Sequence, residues 1–265
     1  MKIDACLSRL IVCALFTFAF GTAAHAQTDS IVPGENFHVE FDVLWWHPSP
    51  DLTVNTGRLE SVGITDFEFA STFGIEEVWF SDFRFLYRPA RKHRIRFGYS
   101  PTRYEESAVL TREIRFDDKP FTGTVAADVR WSLWRVGYQW DFISRDRTFI
   151  GVFGEVKYNR VHASVRANGQ GAVLESDAPA PTIGVNGRFY PHRHVAVAGE
   201  FAVFKYTGGD FDGTFFDLDV SATASITKNL GFQGGYRAVT ADYFVDPDSA
   251  DLTLKGVYVG FVSRF

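Results

Sequence analysis

The chain has 265 residues, with 27 Lys and Arg against 32 Asp and Glu and a net charge of −5 at pH 7. That acid-rich balance disfavours nucleic acid and anionic surfaces as partners. Both cysteines, Cys6 and Cys13, stand near the start, so the chain beyond them holds no disulfide framework and no Cys-based metal site.

Residues 1–26 read as a cleaved secretory signal. Lys2 and Arg9 form a basic n-region, Leu10 to Phe20 an apolar run, and Ala24-His25-Ala26 a small-residue site before Gln27. The apolar run is too short to span a bilayer. A lipoprotein reading through Leu10-Ile11-Val12-Cys13 fails, because Val12 fits poorly before the cysteine and apolar residues continue after it. Loss of the signal removes Lys2, Arg9, Asp4 and both cysteines and leaves a net charge of −6. Residues 27–35 follow as a short N-terminal segment, and 36–265 form one large all-β domain. No later stretch is apolar for long enough to be a transmembrane helix, so a membrane location requires a closed barrel that pairs every backbone group.

The strands follow in chain order. Asn36 to Trp46 sends Phe37, Val39, Phe41, Val43 and Trp45 to one face and His38, Glu40 and Asp42 to the other. About ten residues of such alternation suffice for a tilted strand to cross the hydrocarbon. Residues 47–76 carry poor strand signals and are expected to be an infolded loop, with an extra strand pair as the alternative; Asp66 to Ile75 could form a short helix. Glu77 to Arg88 sets Trp79, Phe83, Phe85 and Tyr87 against Asp82, Arg84 and Arg88. After a turn at Pro89 to His93, the returning strand sets Ile95, Phe97 and Tyr99 against Arg94, Arg96 and Gly98, and continues past Pro101 to Phe116. A strand that long rises above a membrane.

Thr122 to Phe142 descends with Trp134, Val136, Tyr138, Trp140 and Phe142 opposite Arg135, Gln139 and Asp141. Val129, Trp131 and Leu133 are out of phase with that apolar set, so either a bulge near Leu133 resets the register or the upper part lies outside the bilayer. Ile150, Val152, Val156 and Tyr158 oppose Glu155, Lys157 and Asn159. Beyond a Gly/Ala/Asp-rich loop, Ile183, Val185 and Phe189 oppose Asn186 and Arg188. Val195, Val197, Phe201 and Val203 oppose Glu200, and Phe216, Leu218 and Val220 oppose Asp217 and Asp219. Lys228-Asn229 makes a tight turn, after which Leu230, Phe232 and Tyr236 oppose Gln233 and Arg237. That makes ten strands, with eight to twelve as the range, and short turns alternate with longer loops.

The last strand, Gly256 to Phe265, alternates Val257, Val259, Phe261 and Phe265 with Gly256, Gly260 and Arg264 and ends on an aromatic. It resembles the closing strand of Gram-negative outer-membrane β-barrels, with one departure at Ser263. The resemblance implies an antiparallel up-and-down transmembrane barrel in the cell outer membrane, closed by the 257/259/261/265 face. It also implies partners among outer-membrane lipids and lipopolysaccharide, the barrel-assembly machinery and periplasmic chaperones. A soluble sandwich would also alternate, but these strands exceed the usual five or six residues, and aromatics stand at their ends where an interfacial girdle belongs. Glycine gathers on the polar face, as it would in a narrow barrel that must make room for large neighbours.

The expected lumen lining is Glu40, Asp42, Asp82, Arg84, Arg96, Arg135, Asp141, Glu155, Lys157, Arg188, Glu200, Asp217, Asp219 and Arg237, with both signs on neighbouring strands. Such charges make either a salt-bridged plug or a narrow polar pore. The expected function is therefore structural, or a porin-like passive channel for ions or small polar solutes. The alternatives are an outer-membrane lipid-modifying or proteolytic enzyme, or a surface adhesion barrel. The histidines His38, His47, His93, His162, His192 and His194 fit no acid–base constellation, so no catalytic residue is assigned. Asp210-Phe211-Asp212-Gly213 opens like a calcium loop but has Ser221 where the closing Glu belongs. Asp246, Asp248 and Asp251 form a second acidic loop, and Gly169-Gln170-Gly171 lacks the third glycine of a dinucleotide fingerprint. No cofactor or metal is expected.

Overall fold

The computed structural model describes residues 34–56, 67–68, 79–116, 119–167, 170–208, 211–245 and 248–265. The signal-peptide reading, most of the N-terminal segment and most of the 57–78 connection lie outside the described residues. Among the described residues there are eleven strands: β1 (Val39–Thr56), β2 (Phe67–Glu68), β3 (Phe80–Ala90), β4 (His93–Phe116), β5 (Lys119–Arg145), β6 (Thr148–Ala167), β7 (Gln170–His192), β8 (Val195–Gly208), β9 (Phe211–Ser225), β10 (Leu230–Val245) and β11 (Asp248–Arg264). From β3 to β11 each strand pairs antiparallel with the next, β3 pairs with β1, and β11 returns to pair with β1 from Glu40↔Arg264 to Thr56↔Asp248. The sheet is therefore a closed barrel of ten spanning strands, with β2 a two-residue addition beside Thr53 and Val54.

Closure removes the edges that an open sheet would leave without backbone partners. The seam is completed by Phe265, whose N–H donates to Val39 O at 2.9 Å and whose carbonyl accepts from His38 and Val39 N–H. Val257, Val259, Phe261 and Phe265 all face outward.

Period-two alternation then sorts every side chain. Outward stand Phe41, Trp45, Phe85, Phe97, Trp134, Val136, Tyr138, Trp140, Val152, Val156, Ile183, Val185, Val197, Val220, Phe232 and Tyr236, all exposed. Inward stand Asp42, Leu44, Trp46, Asp82, Arg94, Arg135, Gln139, Asp141, Glu155, Lys157, Asp217, Asp219 and Arg237, all buried. This polarity is the reverse of a water-soluble fold. An apolar belt running around the whole sheet far exceeds the patch a soluble monomer exposes, and hydrocarbon is the solvent that matches it.

Two readings change. Residues 47–56 continue β1 instead of turning inward as a loop, although Pro48 and Pro50 weaken the strand signal. The last β1–β3 pair is Trp46↔Phe80, so the prolines lie where that side of β1 has no β3 ladder to lose. The register of β5 is also unbroken at Leu133 and Trp134 against both β4 and β6, so no bulge forms there. Leu133 and Trp131 simply point inward, because this end of the interior is apolar. The β5–β6 register does shift between Asp141 and Ile143, beside the turn, leaving Phe142 and Ile143 both exposed.

The wall is uneven in height. Above Tyr99 the described residues of β4 pair with β5 alone, and β7 below Ile183 in sequence pairs with β6 alone. Strands β4 to β7 therefore rise as a four-stranded extension, and Pro101, Pro179 and Pro181 sit on its outer strands, as prolines do on blunted edges.

Candidate functional site: the barrel interior

The interior is built in layers. At the end that holds the chain termini of the sheet, Glu35 folds under the barrel, held by its own N–H to Asp146 O at 2.8 Å. Arg94 donates to Glu35 at 3.0 Å and to Asp141 at 2.7 Å, and Tyr190 donates to Glu35 at 3.0 Å. Gln139 bridges Asp141 and Asn186, each at 2.7 Å. Phe149 lies under the Arg94 guanidinium at 3.7 Å, so the cation is sandwiched between carboxylates and a ring. Beside this floor Arg188 grips Glu40 in a two-point contact of 2.8 and 2.7 Å, and Arg264 adds a third bond at 2.5 Å.

Above lies a second layer. Asp82 accepts from Arg84 at 2.9 Å, Arg135 at 2.5 Å and Ser100 at 2.7 Å. Asp217 accepts from Lys157 at 2.5 Å and from Arg237 at 3.0 and 2.8 Å. Arg84 reaches Asp219 at 2.8 Å, and Asp219 also accepts from Tyr258 at 2.6 Å. Arg96 holds Glu200 with 2.7 and 2.6 Å bonds and stacks on Phe153 at 4.0 Å. The third layer is apolar: Leu44, Trp46, Phe80, Phe215, Val239, Ala241, Leu254 and Tyr258 form one buried cluster, with Trp131 and Phe204 packed against it.

Many of these contacts cross the barrel. Arg188 on β7 and Glu40 on β1 stand five strands apart in a ring of ten, which is opposite walls. Arg96 to Glu200 and Arg84 to Asp219 each join strands four apart. Side chains from facing walls therefore meet within the lumen.

Thirteen of the fourteen expected lining residues take part in these ion pairs. Asp42 is the exception among the described residues: it is buried, and its Oδ1 has no hydrogen-bond partner. It borders a cavity of about 100 Å³ also lined by Arg96, Arg135, Glu155 and Asn186, each of which has one buried polar atom without a hydrogen bond: Nη1, Nε, Oε1 and Oδ1 in turn. Lys157 lies 3.4 Å from Glu155 Oε1, an ionic contact without hydrogen-bond geometry. Donors and acceptors together suit a small water cluster. Among the described residues no group of three or more His, Cys, Asp or Glu is placed to hold a metal ion. Of the calcium-like loop, Asp210 lies outside the described residues and Asp212 accepts from Thr207 at 3.1 Å.

The expected lining omits Glu35, Tyr190 and Tyr258, and also Arg88, Arg94 and Arg264, which the strand pattern places on the polar face without naming them as lining groups. Glu35 precedes the first strand and has no period to betray it. Tyr258 is an aromatic between outward valines, and its signal is the glycine opposite: a Cβ on Gly235 would lie 2.5 Å from the Tyr258 ring. Gly98 makes the same room for Arg135, and Gly184 for Phe153. Counting the inner face, Arg84, Arg88, Arg94, Arg96, Arg135, Lys157, Arg188, Arg237 and Arg264 balance Glu35, Glu40, Asp42, Asp82, Asp141, Glu155, Glu200, Asp217 and Asp219, nine of each sign among the described residues.

A closed ten-strand barrel, apolar outside and ion-paired inside, defines an outer-membrane β-barrel protein. One solved structure agrees on the fold. The chain is similar to the outer membrane protease OmpT of Escherichia coli, with a TM-score of 0.60 and 13% identity over 91% of this chain and 100% of that one. The translocator domain of the autotransporter NalP from Neisseria meningitidis has a TM-score of 0.43 and 10% identity over 98% and 97% of the two chains. OprG from Pseudomonas aeruginosa has a TM-score of 0.40 and 10% identity over 89% and 99%. No protein-family model and no curated protein sequence matches the chain.

Proposed function

We propose that this protein is a structural, solute-tight barrel of the outer membrane rather than an open channel for ions or small polar solutes. The observation that carries the reading is the Arg188–Glu40 pair, which joins opposite walls in a two-point contact. The apolar cluster around Phe215 and the Glu35 floor support it from either end. Charge-assisted bonds of this kind rigidify, and removing one partner leaves a buried charge, so the network favours one fixed interior. A balanced lumen also lacks the one-signed ring that gives a pore its ion preference.

The reading is non-catalytic. His38 bonds the Arg88 carbonyl at 3.1 Å, His93 bonds Tyr138 at 2.5 Å, and the His192 ring lies beside that of His194. These contacts assemble no nucleophile–base–orienter constellation. The OmpT likeness is one of fold and brings no protease assignment with it.

Planar-bilayer recording of the refolded protein tests the proposal. A current trace without channel steps is expected, and stable steps at low voltage would overturn it. Overexpression is expected to leave lipid A and phospholipid profiles unchanged; a new lipid species would restore the enzyme reading.

A further inference from the structure

The net charge of −5 conceals a segregation. The four turns joining β3 to β4, β5 to β6, β7 to β8 and β9 to β10 lie at the barrel end where β1 begins and β11 ends. They expose Arg91, Lys92, Arg145, Arg147, Arg193 and Lys228 against a single exposed acid among the described turn residues, Asp146. Arg91 pairs with that acid at 3.1 Å. The other five cations have no ion pair among the described residues, whereas nearly every charge inside the barrel has one. Each turn supplies at least one cation, so the charge runs around the rim instead of gathering in a patch.

We propose that this rim is a collar for the phosphates of anionic phospholipids in the leaflet that meets the short turns. Position supports lipid over a soluble partner. The lipid-facing strip at this end finishes in Tyr138, Trp140 and Phe142, all exposed, and Arg145 follows three residues later, about 10 Å along a strand. Aromatics mark the interface, so the cations stand at phosphate depth. The turns are tight, which keeps the cations from reaching far into the aqueous space. A ring of separated single charges suits many small mobile anions better than one folded partner with one binding face. Near an anionic leaflet each basic side chain strengthens the attraction about fivefold, within a Debye length of the surface.

Spin-labelled phosphatidylglycerol and phosphatidylcholine, compared as probes around the refolded protein in phosphatidylcholine bilayers, test the collar. The wild type is expected to prefer phosphatidylglycerol, with the preference falling toward one in high salt. Replacing the five free cations by Gln should abolish the preference, while exchanging Lys and Arg among them should retain it. Heat-modifiable mobility on gels checks folding; if the fivefold variant does not fold, the five single Gln variants must each lower the preference. No preference at low salt, or one that survives in the Gln variants, overturns the proposal. So does binding of the wild type to peptidoglycan sacculi that the Gln variants lose while lipid preference stays the same.

Discussion

Arg94 holds Glu35 at 3.0 Å and thereby ties the residue ahead of the first strand to the floor of the barrel. Both side chains, and the Asp141 carboxylate that Arg94 also binds, are buried to within 1% of complete. Removing the cation alone leaves two buried carboxylates, Asp141 with Gln139 as its remaining side-chain donor and Glu35 with only Arg188 at 3.3 Å and Tyr190. Arg94→Met is therefore expected to destabilise the barrel by about 3–5 kcal/mol, read as a shift of the urea unfolding midpoint in lipid vesicles. A shift equivalent to less than about 0.5 kcal/mol, the range of an ordinary surface substitution, would mean that the floor is not held this way.

Glycine placement gives a second expectation. A Cβ on Gly235 would lie 2.5 Å from Tyr258 Cζ and 2.6 Å from Val220 O, whereas a Cβ on Gly199 meets nothing within 4 Å. Gly235→Ala should cost about 1–3 kcal/mol through overpacking, and Gly199→Ala should stay within about 0.5 kcal/mol of wild type. Equal effects in the same unfolding assay would remove the argument that inner glycines exist to admit large neighbours.

The period of two is what made this fold legible. Asp82, Arg84, Arg135, Lys157 and Arg237 could be placed inside because each alternates with an aromatic or branched neighbour that must face lipid. The same rule misreads apolar positions high on the wall, of which Leu133 is the clear case: the interior changes from ionic to apolar along the barrel axis, and periodicity cannot distinguish an apolar residue facing lipid from one facing an apolar core. Partner choice was not legible either. That Arg188 meets Glu40 across the lumen, instead of an acid on an adjacent strand, depends on barrel width and strand stagger, which no local pattern encodes.

The extension of β4 to β7 carries ion pairs beyond the lipid belt. Asp128 stands six residues from Trp134 along β5, about 20 Å at the strand rise, and accepts from Arg103 at 2.7 Å and Arg130 at 3.1 Å. The Arg103 hydrogen bond holds the Asp128 carboxyl down at about 2; burial opposes it and the Arg130 hydrogen bond adds to it. Because the folded value lies below the unfolded one, the contribution of Asp128 is complete above the ordinary Asp value of about 3.9 and is lost as pH falls through the folded value. A carboxyl NMR titration should place the Asp128 midpoint well below that ordinary value, and Arg103→Gln should raise it. A wild-type midpoint close to the ordinary value would contradict the pairing.

On the solute-tight reading three closures stand in series along the axis, which separates stability from sealing. Phe215 belongs to the apolar layer and also covers Lys157, whose Nζ lies 4.4 Å from the ring centroid. Phe215→Ala should cost about 3–5 kcal/mol, the usual range for a buried aromatic truncation, with loss of the cation–π contact tending toward the upper end. It should nevertheless leave a planar bilayer silent, because the Asp82–Arg135 layer and the Arg188–Glu40 pair remain below it. The double variant Arg188→Ala with Glu40→Ala should be silent for the converse reason, the apolar layer and the Asp217–Arg237 contact being intact. Steady conductance in either variant alone would show that a single layer carries the seal, and the network across the lumen would then have to be read as scaffolding for a pore.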